Sequence, residues 1–283
     1  GSLVAISAQA AEMTVSGATM LTYTSEDGTE VTGNPLGMKT NIGFTASGEV
    51  NGYNVSYMQT TKDQFAGMSS ARLSIDLGDI GTFAFDQGSG SGLATIDDKT
   101  PTAAEEIWDG LDSTTAGRVG AAGSSGVVNY VNTFEGVTLN AAFRKGSGTS
   151  NSDGASSNAG QGAYDFALTA DGSSMGVDGL AIGLGYGVAE NGAQTDTTYG
   201  DAEHMTVFAN YSVQMVTFGY QMSYIESNVN GTDDQAVDAW GLAFNVNENL
   251  SMSYGERDVV HKGAGTSADV TEKFDGIAVA YTM

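Results

Sequence analysis

From Met13 onward, apolar side chains recur at every second position, a period that fits strands and does not fit helices. Leu73, Ile75 and Leu77 alternate with Arg72, Ser74 and Asp76, and Leu180, Ile182, Leu184 and Tyr186 repeat the pattern further along. Val216, Phe218, Tyr220, Met222 and Tyr224 repeat it again, as do Trp240, Leu242, Phe244 and Val246. Fourteen such segments are legible in the 283 residues, each with one apolar or aromatic face and one face of Ser, Thr, Asn, Gly or charge. A chain of half-apolar strands must place its polar faces somewhere wet. A sandwich turns them outward to solvent, whereas a membrane barrel turns them inward to an aqueous lumen.

Connection length separates these two. The links at 25–36, 61–68, 87–125, 145–162, 189–203, 226–236 and 258–273 alternate with shorter ones at 48–52, 78–80, 134–136, 171–179, 213–214 and 247–249. Sorting long loops to one end and tight turns to the other is a property of antiparallel transmembrane barrels. An even strand number agrees, because a closed meander begins and ends at the same rim. Tyr, Phe and Trp240 on the strand faces suit interfacial girdles. The expectation is an all-β transmembrane antiparallel barrel of about 14 strands (14–16).

Composition narrows the partners. Acidic residues number 34 against 10 basic, a formal charge of -24, which opposes nucleic-acid binding because that requires Lys and Arg on phosphates. Cysteine is absent, which removes disulfides, thiolate metal sites and cysteine nucleophiles. The apolar Leu3–Ile6 followed by Ala8-Gln9-Ala10 reads as the end of a secretory signal peptide. Residues 1–10 are therefore expected to be its remnant and 11–283 a single barrel domain.

The run Asn129-Tyr130-Val131-Asn132-Thr133-Phe134-Glu135-Gly136-Val137-Thr138-Leu139-Asn140-Ala141-Ala142-Phe143 resembles the hairpin that follows the constriction loop in trimeric general porins of Gram-negative bacteria, those of alphaproteobacteria in particular. The loop at 87–125 sits where that family folds its third extracellular loop into the lumen, so the resemblance implies that 87–125 is a long inward-folded third extracellular loop. The sequence departs from the family in showing 14 strands where 16 are usual. It also places its last aromatic at Tyr281, two positions before the carboxyl end, where the family usually ends on an aromatic. The resemblance implies an outer-membrane homotrimer among phospholipid and lipopolysaccharide, passing ions and small hydrophilic solutes passively, with no cofactor and no metal.

A pore needs a lumen narrow enough for wall charge to act on the solute. The loop holds Asp97, Asp98, Glu105, Glu106, Asp109 and Asp112 against Lys99 and Arg118, and the inward register places Lys39 on the second strand and Arg72 on the fourth. An acidic loop facing Lys39 and Arg72 would set a field across the lumen, with a modest preference for cations. Thr102–Leu111 reads as a short helix with an acidic first turn, and Ile107 and Trp108 as its anchors to the wall. Other classes have less support. His204, at the loop end of the tenth strand, and His261, in the last long loop, are expected to be solvated, and no G-x-S-x-G, H-E-x-x-H, P-loop or G-x-G-x-x-G accompanies them. A secreted or surface adhesin without a pore is the alternative reading, although no 18–25-residue period recurs. Asn228–Asp234 has a calcium-like composition but completes no EF-hand loop.

Overall fold

The computed structural model describes residues 12–25, 33–62, 67–106, 117–146, 162–190, 200–227, 234–263 and 267–283. The proposed signal remnant, and residues 107–116 with Ile107, Trp108, Asp109 and Asp112, lie outside them, as does 228–233 of the calcium-like segment. No described helix is long and apolar enough to cross a membrane.

The alternation folds into one 14-stranded sheet whose strands follow chain order. These are β1 (Glu12–Tyr23), β2 (Leu36–Val50), β3 (Tyr53–Thr61), β4 (Met68–Asp76), β5 (Thr82–Gln87), β6 (Ser125–Phe134) and β7 (Val137–Arg144). They continue as β8 (Ala163–Asp171), β9 (Leu180–Ala189), β10 (Ala202–Val213), β11 (Val216–Glu226), β12 (Gln235–Asn245), β13 (Leu250–His261) and β14 (Val270–Tyr281). Neighbouring strands pair antiparallel, so the meander matches the sequence reading and excludes a parallel β-helix.

Turn chemistry fixes the registers at the short-turn rim. Asn51-Gly52 and Glu135-Gly136 both carry positive φ at two successive residues, the geometry of two-residue turns that match strand twist. Gly136 supplies that conformation cheaply, and the register it sets pairs Phe134 with Val137 and Asn132 with Leu139. At the last short turn, the Asn247 side-chain oxygen accepts the N–H groups of Asn249 and Leu250.

One face of the sheet is outward and apolar. Val15, Phe44, Leu73, Phe85, Val128, Phe143, Leu184, Met222 and Ile277 are all exposed there. Aromatic pairs add to it, Phe83 with Tyr130 at 4.8 Å and Trp240 with Tyr254 at 5.5 Å between ring centroids. Around β12–β14 the same face also carries paired charge, with Lys273 Nζ 2.9 Å from Asp258 and Trp240 Nε1 donating to Glu256.

Thr40, Val55 and Val188 are buried in outward register, and most of the other buried residues belong to the opposite face and to the segment lying on it. Leu93 (0% exposed), Ile96, Val119, Ala167 and Phe208 form one cluster, and Ala122, Val127 and Ala142 another. β1 and β14 are the edge strands, and among the described residues no ladder joins them. The curl of the sheet is visible inside. Ala103 bonds to Ser253 on β13, and Glu105, two residues on, reaches Lys39 on β2.

Candidate functional site

The segment between β5 and β6 enters the curl of the sheet and returns along it in two legs. Its root is fixed by Arg72 on β4. The Arg72 Nε donates to Asp86 Oδ1 at 3.3 Å, and its Nη2 donates to the Gly90 carbonyl and to Ser91 Oγ at 2.8 Å. Asp86 is fully buried and also accepts from Ser91 Oγ and Ser89. The Arg72–Asp86 pair lies opposite in the β4–β5 register, so the strand pairing itself delivers the clamp.

The outgoing leg then runs from β7 towards β13. Gly92 N–H donates to Asn140 Oδ1 on β7 at 2.8 Å, and Leu93 N–H donates to Asp165 Oδ1 on β8 at 3.0 Å. Gln221 on β11 donates to the carbonyls of Ile96 and Asp97 and accepts the Lys99 N–H. Asn210 on β10 donates to the Lys99 carbonyl at 2.7 Å. Ser253 and Ser251 on β13 then hold Ala103 from both sides of its peptide.

Four inward glycines, at 185, 187, 219 and 241, make room for the loop. A Cβ at Gly185 would meet Leu93 and lie 3.3 Å from Ile96 Cδ1, and one at Gly241 would come within 2.5 Å of the Pro101 carbonyl oxygen. The strand glycines therefore mark where another stretch of backbone lies close.

The return leg lies nearer the long-loop rim. Gly117 N–H donates to Gln235, the first residue of β12, at 2.6 Å, and Gly120 N–H donates to His204 Nδ1 on β10 at 3.3 Å. Ala122 N–H donates to Asp165 Oδ2 at 2.7 Å. One carboxylate on β8, 3% exposed, thus holds both legs, one through each oxygen. A hydrogen bond to a charged acceptor contributes about 1.5–3 kcal/mol, and a buried N–H left unmade costs about 1–3 kcal/mol. The loop's position against the wall is therefore strongly specified.

The charged residues singled out from sequence fall into separate groups. Lys39 meets Glu105 at 3.0 Å, both side chains being partly exposed, so the pair spans from loop to β2. Arg72 stands at the loop root, bound to Asp86 rather than facing the loop acids. Asp98 and Arg118 each interact electrostatically with Asp97 and with Glu106. Arg257, an inward residue of β13, joins Asp97, Asp98 and Arg118 there. Burial, then the adjoining Asp98 carboxylate, pushes the Asp97 carboxyl up to about 7. Burial also raises the Glu106 carboxyl, with Asp98 and Glu105 adding to it.

Three expectations need correction. Thr102–Glu106 forms no helix: the peptide of Ala103 is bonded on both sides to β13 and the Thr102 hydroxyl donates to the Glu105 carbonyl, so the chain there bends without helical hydrogen bonds. The short helical turn lies earlier, a 3-10 turn at Gly92–Ile96. His204 lies on the tenth strand as expected but is bonded to the loop, and His261 lies on β13 where a loop was expected. Both belong to strands and face inward, His204 accepting from the loop and His261 lying 3.5 Å from Glu272.

Asn140, Asp165, Asn210, Gln221 and Arg257 escaped the sequence reading. Each occupies an inward position among Ser, Asn and Gly, where a polar residue is unremarkable. The signal that marks them is the loss of side chain at the inward glycines 185 and 241, which shows where the loop passes.

The family of Gram-negative porins matches the chain over residues 2–283. No curated protein matches it. Among solved structures, OmpF of Salmonella typhi, in a complex with daunomycin, is 15% identical with a TM-score of 0.63, over 96% of this chain and 86% of that one. OmpT of Vibrio cholerae, folded in vitro, is 16% identical with a TM-score of 0.60, over 97% and 85%. The same protein expressed in the outer membrane is 19% identical with a TM-score of 0.60, over 95% and 80%.

Proposed function

The chain belongs to the family of Gram-negative porins and forms a channel in the outer membrane, and from that premise we propose that the wall-docked loop sets the aperture and gives the pore a mild preference for cations. The observation that carries this reading is the docking of both loop legs onto inward side chains from β7 to β13, with Asp165 shared between them. The loop thereby occupies part of the lumen, and solute is left the space between it and the β1–β6 wall. There it passes the Glu105–Lys39 pair and the acids Asp97, Asp98 and Glu106. A narrow lumen with low-dielectric walls focuses the field of such charges.

The surplus of carboxylates in the loop supports cation preference. Passage is passive: ions and small hydrophilic solutes diffuse, and the residues do no covalent chemistry. The reading includes a homotrimer among phospholipid and lipopolysaccharide, since the outward faces of the strands across β1–β9 are mostly apolar. The test is a planar bilayer recording under a KCl gradient. The expected reversal potential has the cation-selective sign, and deleting Asp97 to Asp112 raises conductance and weakens the selectivity. An anion-selective potential in the intact protein contradicts the charge assignment.

A further inference from the structure

The return leg crosses the inner wall along a single row of the sheet. Asp165, Gly187, His204, Ile225, Gln235 and His261 follow one another in register from β8 to β13. Three of them, on alternate strands, accept backbone N–H groups from the leg. Asp165 takes that of Ala122 at 2.7 Å, His204 that of Gly120 at 3.3 Å and Gln235 that of Gly117 at 2.6 Å. Between the first two, Gly187 leaves the space in which Ala121 lies, since a Cβ there would stand 2.8 Å from the Ala121 Cβ. Val119, Ala121 and Ala122 are buried, and Val119 packs with Leu93, Ile96, Ala167 and Phe208. The leg is a strap fastened at three points by acceptors on the wall.

The three acceptors differ chemically. A peptide N–H can only donate, so the Gly120 bond requires Nδ1 to be bare and places the imidazole proton on Nε2. A second proton would occupy the Nδ1 lone pair and set a donor against the Gly120 N–H. Gln235 does not titrate, and Asp165 is two strands away with each oxygen on an N–H. The flanking positions on β9 and β11 are the uncharged Gly187 and Ile225. Glu203 and its register partner Glu226 point outward. The other charged groups on this side are Arg118, Asp97 and Asp98 in the loop, with His261 and Glu272 at the β13–β14 end of the wall.

We propose that His204 is a positioning residue that holds the return leg only while its imidazole is neutral, so that acid unfastens the strap at its middle point. This rests on the docked-loop reading above. The Gly120 bond is present above the ordinary imidazole range, near about 6.5, and is lost as pH falls through it. With that bond gone, the leg runs from Asp165 on β8 to Gln235 on β12 without a fastening between them. Val119 and Ala121, on either side of Gly120, then open to the lumen.

The chain has no cysteine, so Val119→Cys places one thiol in the strap. Its rate of modification by a water-soluble thiol reagent is measured in the folded, membrane-inserted protein. Dividing by the rate for the same chain denatured at the same pH removes the thiol's own titration. With His204 present, this ratio rises severalfold between about pH 8 and about pH 5, the range in which imidazole changes charge. With His204→Asn, whose side-chain oxygen accepts and does not titrate, the ratio stays low and flat. With His204→Lys, a cation without an acceptor, it is high throughout. Asp97 is common to all these chains, so its contribution cancels between them. Ala121→Cys repeats the measurement from the other side of Gly120 and guards against a reporter that disturbs the apolar cluster. A ratio that does not change with pH while His204 is present overturns the proposal, as does the same rise in His204→Asn. A ratio near one at every pH means that the return leg is not docked, and the docked-loop reading then fails as well.

Discussion

The carboxylate of Asp165 accepts the backbone N–H of Ala122 at 2.7 Å across 43 residues of sequence, and its second oxygen holds Leu93. Two legs of one loop are locked to a single wall position by a group with acceptors only. Substituting Asp165→Ala leaves two buried N–H groups unmade, at about 1–3 kcal/mol each. The expected outcome is a barrel that still forms but a loop that leaves the wall. Trypsin then cuts after Lys99 and Arg118 in the folded, membrane-inserted variant and spares those bonds in the wild type. Equal protection in both would show that Asp165 does not hold the loop.

Lys39 and Glu105 are joined by an exposed ion pair, of a kind that contributes about 0–1 kcal/mol and weakens with salt. Lys39→Glu places two carboxylates opposite each other. The prediction is little change in thermal stability, a wider pore with higher conductance at low salt, and stronger cation preference. A conductance that matches wild type at both low and high salt would remove the pair from the aperture.

Protonation of Asp97 gives a pH dependence with a defined sign. Its carboxyl is pushed up to about 7 by burial and by Asp98, with Arg118 opposing. Ionisation is therefore disfavoured in the docked loop: docking is tightest below the ordinary value of 3.8, weakens as pH rises from there to about 7, and stays at its weakest above that. Above pH 7 the loop also carries one more negative charge beside Asp98, Glu106, Arg118 and Arg257. Cation preference, read as reversal potential, is expected to rise between pH 6 and 8 and to flatten in Asp97→Asn. A profile that is flat in the wild type contradicts this.

The edges of the sheet yield a prediction of a different kind. β1 and β14 are unjoined among the described residues, and an unpaired backbone edge in hydrocarbon costs several kcal/mol per group. In the membrane the two edges are expected to pair with each other. Val15 and Val279 are both outward and both near the short-turn rim. Because the chain has no cysteine, Val15→Cys with Val279→Cys can be linked by a short bifunctional thiol reagent without background. A link within one chain is the expected product. Links only between chains would mean that a neighbouring protomer covers the edge.

The strand pattern was legible in the sequence because each strand buries one face, and a slip of one residue reverses which side chains face inward. The short turn at 134–136 was legible for the related reason that its geometry selects glycine, whereas Asn51-Gly52 was read only within a longer link at 48–52. The loop's inward path was expected from its length and place, but its anchors were not. Gln221 and Lys99 are 122 positions apart, and nothing local in β11 distinguishes Gln221 from any other polar inward residue. The same limit misplaced Arg72. Its register opposite Asp86 binds it at the loop root, and the charge beside the loop acids comes instead from Arg257 on a strand far along the chain.

The central claim is that the aperture is set by a loop held on the wall from β7 to β13. Its most direct test is single-channel conductance in a planar bilayer, comparing wild type with a double variant, Asp165→Ala with Gln221→Ala. The account predicts stepwise conductance in both, with larger steps and weaker ion selectivity in the variant. Steps of the same size and selectivity would contradict it, because the lumen would then be gated by something other than the docked loop.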